Sequence, residues 1–420
     1  MKPKLLTTLR DYSAKTFAAD AVGGVTVALV ALPLSIAIAI ASGAPPAAGL
    51  ITAIIGGFLI SALGGSRVQI GGPTGAFIVV VYGIIQQHGL AGLQLATLMA
   101  GVILVIGALL RAGRLIALVP EAVIEGFTIG IAAIIAVSQL KDLLGLSMAK
   151  GSAELVQLIP ALWNVRGSLN PVAAAIGLAS VGTIAALYRL VPRLPGSIVA
   201  IGLASASVAI FALPVDTIHS RFGLLPSGLP MPVLPTVSVV LVSKLLPSAF
   251  VIAFLAGVES LLSAIVADRM IGGRHRSNAE LLAQGAANIA SPLFGGLPAT
   301  GAIARTATNV RAGGRTPVAG VIHALVIFLI TVAAAPLAGY LAMPALAGLL
   351  VVTAWTMSEP SRWRERLKLR PADRALLFLT MALTMVSTLT VAIAVGTALG
   401  LALRLARRDV DPATWTPADR

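Results

Sequence analysis

Gly71-Gly72-Pro73-Thr74-Gly75-Ala76 recurs, loosened, as Gly295-Gly296-Leu297-Pro298-Ala299-Thr300-Gly301-Ala302. Each copy opens a short apolar segment, 73–86 in the first case and 298–310 in the second. Neither is long enough to cross a bilayer as a full helix, which takes about 20 residues. Glycine and proline are frequent in membrane helices, so composition alone says little here. Shared order, shortness and equivalent position together mark a repeat. A helix that starts partway through a membrane leaves its first N–H groups unpaired there. Those groups carry the positive end of the helix dipole, and in apolar surroundings they form an anion site built from backbone. Proline in the first turn gives up an N–H that had no partner, and glycine lets the backbone approach a ligand closely.

The rest of the chain fits a membrane setting. Its 420 residues are 57% hydrophobic, with a mean hydropathy of +0.96, and 11% are charged; a soluble domain carries roughly 25%. Fourteen apolar segments are predicted: 21–40, 47–63, 73–86, 91–110, 115–137, 171–188, 197–213, 245–267, 277–293, 298–310, 317–335, 337–355, 372–388 and 389–405. The two short segments are each third in a set of seven. An odd number of crossings per repeat turns the second copy upside down, the plan of many secondary transporters. The expected fold is therefore an all-α integral membrane protein of fourteen transmembrane segments, arranged as two inverted seven-helix repeats with two half-helices meeting at mid-membrane. Repeat one covers about 21–213 and repeat two about 245–405, within a transport domain at 21–408. Residues 1–20 precede it as a cytoplasmic segment, and 409–420 follow as a short polar tail. The proline-rich stretch 214–236 reads as a structured loop at most. Segment 277–293 carries Asn278, Glu280, Gln284 and Asn288 and must face other helices rather than lipid.

The formal charge of +14 raises the question of nucleic acid. No basic stripe interleaves with aromatic residues, and the basic residues sit in short clusters between apolar blocks, as the positive-inside rule requires. Alternating the crossings puts Arg67, Arg111, Arg114, Arg189, Arg193, Arg269, Arg274, Arg276, Arg311, Arg315 and the cluster Arg362 to Arg374 on one side. Lys141, Lys150, Arg166, Arg221 and Lys244 fall on the other. Both termini are thus expected in the cytoplasm and the chain in the plasma membrane. The first apolar stretch leads into many others, so it reads as a first span and not as a cleaved signal. There is no cysteine, no metal-ligand cluster, no phosphate-cradling loop with its lysine and no nucleophile beside a base. An enzyme is not expected, and no cofactor is implied beyond Na⁺ as a coupling ion.

Charged residues inside spans carry the chemistry. Arg305 lies early in the second half-helix, where a charge is costly unless it is functional or paired. Arginine stays protonated and matches oxyanions bidentately, so anion attraction or gating is the favoured reading, with an ion pair to Glu259 as the alternative. Glu259 sits mid-span, where burial disfavours its charge. It is expected to carry a proton or to help hold Na⁺ with the hydroxyls of Ser263 and Thr300. Ser35 follows Pro33-Leu34 and either lines the site or marks a helix kink. His323 reads as a hydrogen-bonded core histidine before a proton carrier, His88 and His275 as solvated, and Glu121 and Glu125 as interfacial acids beside Arg114.

The chain resembles the SulP family of anion permeases. The match lies in Ala31-Leu32-Pro33-Leu34-Ser35-Ile36-Ala37 through Gly43 and Gly49-Leu50, and in Gly64-Gly65-Ser66-Arg67 with the first glycine motif. It continues in Glu125-Gly126-Phe127-Thr128-Ile129-Gly130 with Gln139, and from Glu259-Ser260-Leu261-Leu262-Ser263 through Asn278, Gln284 and Asn288 to Pro298 and Arg305. The resemblance implies a mobile core and a gate domain, elevator-like alternating access and usually a homodimer. It places the substrate at Thr74, Gly75, Ala76 and Phe77 and at Gly301, Ala302, Ile303, Ala304 and Arg305. It also implies Na⁺ binding at the Glu259 position in sodium-coupled members and proton carriage in others. Three departures are visible. The family usually continues into a cytoplasmic STAS domain after the last helix, where this sequence ends. Many members have serine before the arginine, here Ala304. Many have glutamine or glutamate after the first proline, here Leu34.

The function expected from these readings is secondary active transport of a small inorganic anion of the bicarbonate or sulfate class, coupled to Na⁺ or H⁺. A passive anion channel or uniporter, and a dicarboxylate transporter of the same family, are the alternatives. Arg305 argues against a nucleobase permease of the same fold. The mid-membrane charges argue against a scaffold without flux.

Overall fold

The computed structural model describes residues 2–111, 113, 120–148, 155–191, 195–387 and 389–407. Arg114, Lys150, Arg193, the start of segment 115–137 and the tail 409–420 lie outside the described residues. In chain order the main helices are α1 (Ala14–Ala41), α2 (Pro46–Leu63), α3 (Gly75–Leu109), α4 (Glu121–Ser138), α5 (Pro171–Leu190) and α6 (Gly196–Ile210). They continue with α7 (Val239–Ile271), α8 (Ser277–Leu293), α9 (Ile303–Arg311), α10 (Val318–Ala338), α11 (Met343–Met357), α12 (Pro371–Val386) and α13 (Leu389–Arg407). Every predicted apolar segment has a helix at its place. Among the described residues, seven helical runs are long and apolar enough to span a membrane.

Local chemistry sets the ends. Asn170 caps α5, accepting from the N–H groups of Val172 and Ala173 at 3.0 and 3.2 Å, with Pro171 in the first position. Gly272, at φ 64°, closes α7 in the left-handed conformation that glycine adopts without strain. The third and fourth predicted segments are one helical run broken at Gly89, at φ 68°. The N-terminal segment is also partly helical, over Lys4–Thr8, and α1 begins at Ala14 rather than at residue 21. The early start is anchored by Asp20, which is fully buried. Its carboxylate accepts from the N–H groups of Arg315 and Thr316 at 2.7 and 3.0 Å and from the Tyr12 hydroxyl at 3.0 Å.

The half-helices begin later than their prolines. Helical structure starts at Gly75 and Ile303, and Pro73 and Pro298 stand in extended approaches. These approaches pair as two antiparallel strands, β1 (Gly71–Gly72) and β2 (Thr300–Gly301), with Gly71 opposite Gly301 and Gly72 opposite Thr300. The Ala302 N–H extends the pairing to the Ile70 carbonyl at 2.9 Å. The reason is the solvent: lipid offers no partner to an extended backbone, so the two repeats supply each other's hydrogen bonds.

Side chains fasten these approaches. Helix α8 is polar on the faces it buries, with Glu280, Gln284 and Asn288 fully enclosed. It packs against α2, α3 and α7. The Asn288 amide brackets one residue of the second approach, donating to the Ala299 carbonyl at 2.8 Å and accepting from the Ala299 N–H at 2.9 Å. Thr52 accepts from the Leu297 N–H at 2.7 Å. On the first approach, Asn309 donates to the Val68 carbonyl at 2.9 Å and Thr306 accepts from the Ile70 N–H at 3.1 Å. Asn288→Ala is expected to destabilise the protein by about 1–3 kcal/mol for each backbone group left unpaired. A lower midpoint of thermal unfolding in detergent checks this, and an unchanged midpoint rejects the bracket.

Two groups of helices result. Helices α1, α2, α3, α7, α8, α9 and α10 pack around the paired strands, while α4, α5, α6, α11, α12 and α13 pack beside them. The groups meet where α6 and α11 lie on α1, where α13 lies on α7, and where α4 and the end of α11 reach the start of α3. A Cβ at Gly75 would meet Met357 Sδ at 3.0 Å and Ile135 Cδ1 at 3.5 Å.

Candidate anion site at the paired half-helices

Arg305 is on the first turn of α9 and is 2% exposed. Its Nη2 donates to Ser35 Oγ at 3.1 Å, and Ser35 in turn donates to the Ala31 carbonyl at 2.7 Å. Nε and Nη1 of Arg305 have no hydrogen-bond partner among the described residues. The predicted alternative, an ion pair with Glu259, is therefore not the arrangement found. The guanidinium lies against β1: a Cβ at Gly72 would collide with Arg305 Nη1. Gly72 also has φ 151°, so glycine is required there for both space and backbone conformation.

Glu259 points at the other half-helix. Its Oε2 accepts from the Thr74 hydroxyl at 2.8 Å, and both residues are half-buried. Thr74 is the residue immediately before the helical turn that opens α3. The same stripe of α7 holds the second approach. The Thr300 hydroxyl donates to the Ala256 carbonyl at 2.9 Å, one turn before Glu259, and Ser263 shares a hydrogen bond with Thr306 at 3.1 Å, one turn after it. Positions 256, 259, 260 and 263 follow helical spacing, so one face of α7 binds both approaches. Glu259, Ser263 and Thr300 share no hydrogen bond with one another among the described residues.

The remaining predicted residues divide by exposure. Gly75, Ala76, Phe77, Gly301 and Ala302 are buried, whereas Ile303 and Ala304 are exposed. Phe77, 2% exposed, is part of the main apolar core. Two polar residues that were not predicted belong beside them. Gln69 donates to Ser260 Oγ at 2.8 Å, and a Cβ at Gly301 would collide with the Gln69 amide. Ser260 donates to Glu280 at 3.1 Å and accepts from Gln284 at 2.7 Å. Glu280 also accepts from the N–H groups of Gly65 and Ser66 at 2.8 and 3.0 Å. This enclosed network supports β1 from behind. Its signal in the sequence was the polar content of 277–293; Gln69 and Ser260 gave little on their own.

Two further expectations change, and a third, the pairing of Glu121 and Glu125 with Arg114, lies outside the described residues. His323 is fully buried, and neither ring nitrogen has a hydrogen-bond partner among the described residues, because its ring faces Gly57 on α2. His275 is not solvated: it is 7% exposed and pairs through Nδ1 with Asp268 at 2.7 Å. Glu121 and Glu125 face Arg362 and Arg366, at 3.1 Å for Arg362–Glu121 and 3.2 Å for Arg366–Glu125. Burial pulls the Arg362 guanidinium down, but Glu121, Glu125 and Glu359 outweigh it and hold it above its usual range.

The arrangement joins a buried cation with unpaired donor nitrogens to two helix starts whose approaches are locked together. A buried charge without a partner favours an opposite charge beside it, and helix starts favour anions. The family model for the sulfate permease family matches residues 17–400. The chain is 41% identical over 377 residues to the putative sulfate transporter YvdB of Bacillus subtilis (strain 168), covering 89% of this chain and 71% of that one. It is 31% identical over 341 residues to the bicarbonate transporter BicA of Picosynechococcus sp., covering 79% of this chain and 60% of that one. The solved transmembrane domain of a cyanobacterium bicarbonate transporter BicA superimposes with a TM-score of 0.80 at 30% identity, covering 93% of this chain and 98% of that chain. The chain is a membrane protein of the sulfate permease, or SulP, family of anion transporters.

Proposed function

We propose that the protein is a secondary active transporter of a small inorganic oxyanion of the bicarbonate or sulfate class. The observation that carries this reading is the enclosed Arg305 guanidinium, with Nε and Nη1 unpaired beside the strands that lead into both half-helices. Guanidinium binds oxyanions through paired N–H groups, and the helix starts add donors without adding mobile charge. The names of the two relatives, a putative sulfate transporter and a bicarbonate transporter, point to the same class. Thr74, Gly75, Ala76 and Phe77 would present the first start, and Gly301, Ala302, Ile303, Ala304 and Arg305 the second, with Ser35 holding the guanidinium. Glu259, with Ser263 and Thr300, would take Na⁺ or a proton as the coupling ion.

Alternating access would come from an elevator-like movement of the helices that carry the site against the α4, α5, α6, α11, α12 and α13 group. The split of the helices into two packed groups supports this. The basic face, with both termini, would lie in the cytoplasm and the chain in the plasma membrane, as a homodimer.

The test is uptake of labelled bicarbonate and sulfate into proteoliposomes under an imposed Na⁺ gradient, an imposed H⁺ gradient or neither. Accumulation of one anion above equilibrium under one gradient is the expected result. Uptake that only equilibrates would make the protein a channel or uniporter, and no uptake of either anion would overturn the assignment.

A further inference from the structure

A cavity of about 430 Å³ opens on the basic face, and its lining includes none of the paired-strand residues. Its wall brings together three segments distant in sequence: Lys4 from the N-terminal helix, Arg67 from the loop before β1, and Arg315 from the loop after α9. Among the described residues none of the three has a carboxylate within ion-pairing distance; Asp11 is the one acid in the wall. Three of the four threonine hydroxyls around it are committed to protein acceptors, and the fourth, Thr16, shares a hydrogen bond with Ser13 at 3.0 Å. Thr7 and Thr8 donate to the Lys4 carbonyl at 2.9 and 3.0 Å, and Thr316 donates to Asp20. Recognition at this cavity therefore falls mainly to the cations. Burial, together with the nearby Arg276 and Arg67 guanidiniums, holds the Lys4 ammonium below its usual range against a small opposing pull from Asp268.

We propose that this cavity binds a phosphate group, carried by the headgroup of an anionic lipid or free as inorganic phosphate. A phosphate can take both guanidiniums and the ammonium at once. The lipid source is favoured by what surrounds the cavity. Leu6, Leu9 and Phe17, on the same N-terminal stretch, are 61%, 45% and 53% exposed. Apolar side chains beside a basic cluster fit the boundary between acyl chains and headgroups.

The cavity is also placed to act on the anion site. The N-terminal helix is held to this face by backbone, with Lys4 N–H to the Gly64 carbonyl at 2.9 Å and Arg276 Nη1 to the Lys2 carbonyl at 2.7 Å. Arg67 stands just before β1, and Arg315 follows α9. A bound phosphate would tie the back ends of both limbs of the site to the N-terminal segment.

The test uses the full chain in detergent and reads binding, independently of transport. Native mass spectrometry is run with phosphatidylglycerol, with phosphatidylcholine as the lipid without net charge, and with inorganic phosphate. Phosphatidylglycerol is expected to bind in preference to phosphatidylcholine. The double variant Arg67→Gln with Arg315→Gln is expected to weaken it by about 25-fold, from about fivefold per basic residue at a lipid surface. Lys4→Gln alone, which spares both loops, is expected to weaken it by about fivefold, and it carries the test should the double variant fold poorly. Binding of inorganic phosphate with the same dependence on these residues would support the site with free phosphate as its ligand. Binding of either probe that the variants do not change, or no binding to the native chain, would overturn the proposal.

Discussion

Arg305→Ala is expected to reduce anion uptake into proteoliposomes by about 30-fold or more, while the protein folds and unfolds as before. The scale follows from removing one partner of a buried charged contact, about 2–5 kcal/mol. The unusual part is the stability half of the prediction. Most buried charges are costly to delete because their partner is left behind. Here the described partner is the Ser35 hydroxyl, which keeps its own bond to the Ala31 carbonyl. Removing an enclosed guanidinium with two unpaired nitrogens relieves a desolvation cost and leaves no carboxylate stranded. The midpoint of thermal unfolding should therefore stay or rise as uptake falls. Arg305→Lys separates charge from geometry: a point charge keeps the attraction but loses the planar fork, so intermediate uptake is expected. Native-like uptake by the alanine variant would remove Arg305 from the mechanism. A large fall in stability would instead make it a structural residue.

How much of this was legible in the sequence depended on the kind of signal. The repeated Gly71–Ala76 and Gly295–Ala302 motifs marked the two half-helices, because shortness, order and position are properties of one chain read along its length. The same reading put the prolines in the first helical turn. They stand instead in extended approaches, since pairing of β1 with β2 joins residues more than half the chain apart and leaves no local trace. Segment 277–293 announced its burial through Glu280, Gln284 and Asn288, because polar residues in an apolar context have few places to go. What they hold, the Ala299 backbone and the Gly65–Ser66 turn, was not readable, since a hydrogen bond to backbone is indifferent to the partner's side chain. Gln69 and Ser260 were missed for the opposite reason. Each is one ordinary polar residue, and only their meeting makes a network. His275 failed as a surface residue because Asp268 lies across a turn, and His323 failed as a bonded one because its ring faces a glycine of another helix.

Glu259→Gln is expected to abolish accumulation of the anion above equilibrium while leaving its exchange across the membrane. Glutamine keeps the length of the side chain and still offers an oxygen to the Thr74 hydroxyl, so the tie between α7 and the start of α3 can persist. It has lost the charge that would bind a cation and the group that would exchange a proton. Uptake driven by the coupling gradient should thus fall to the equilibrium level, and counterflow of labelled against unlabelled anion should continue. Thr74→Val is the structural control. It breaks the same hydrogen bond but leaves the carboxylate, so coupling should survive at a reduced rate. The two candidate ions are then distinguished by the neighbouring hydroxyls. Thr300 donates to the Ala256 carbonyl and Ser263 is bonded to Thr306, so each oxygen retains a lone pair for a metal ion. Na⁺ needs such oxygens in its shell, whereas a proton on Glu259 does not. Ser263→Ala and Thr300→Ala should raise the Na⁺ concentration for half-maximal uptake if Na⁺ is the coupling ion, and should leave the pH for half-maximal uptake unshifted if a proton is, whatever either does to the overall rate. Gradient-driven accumulation at the native level in Glu259→Gln would place coupling elsewhere and leave Glu259 as the residue that positions Thr74.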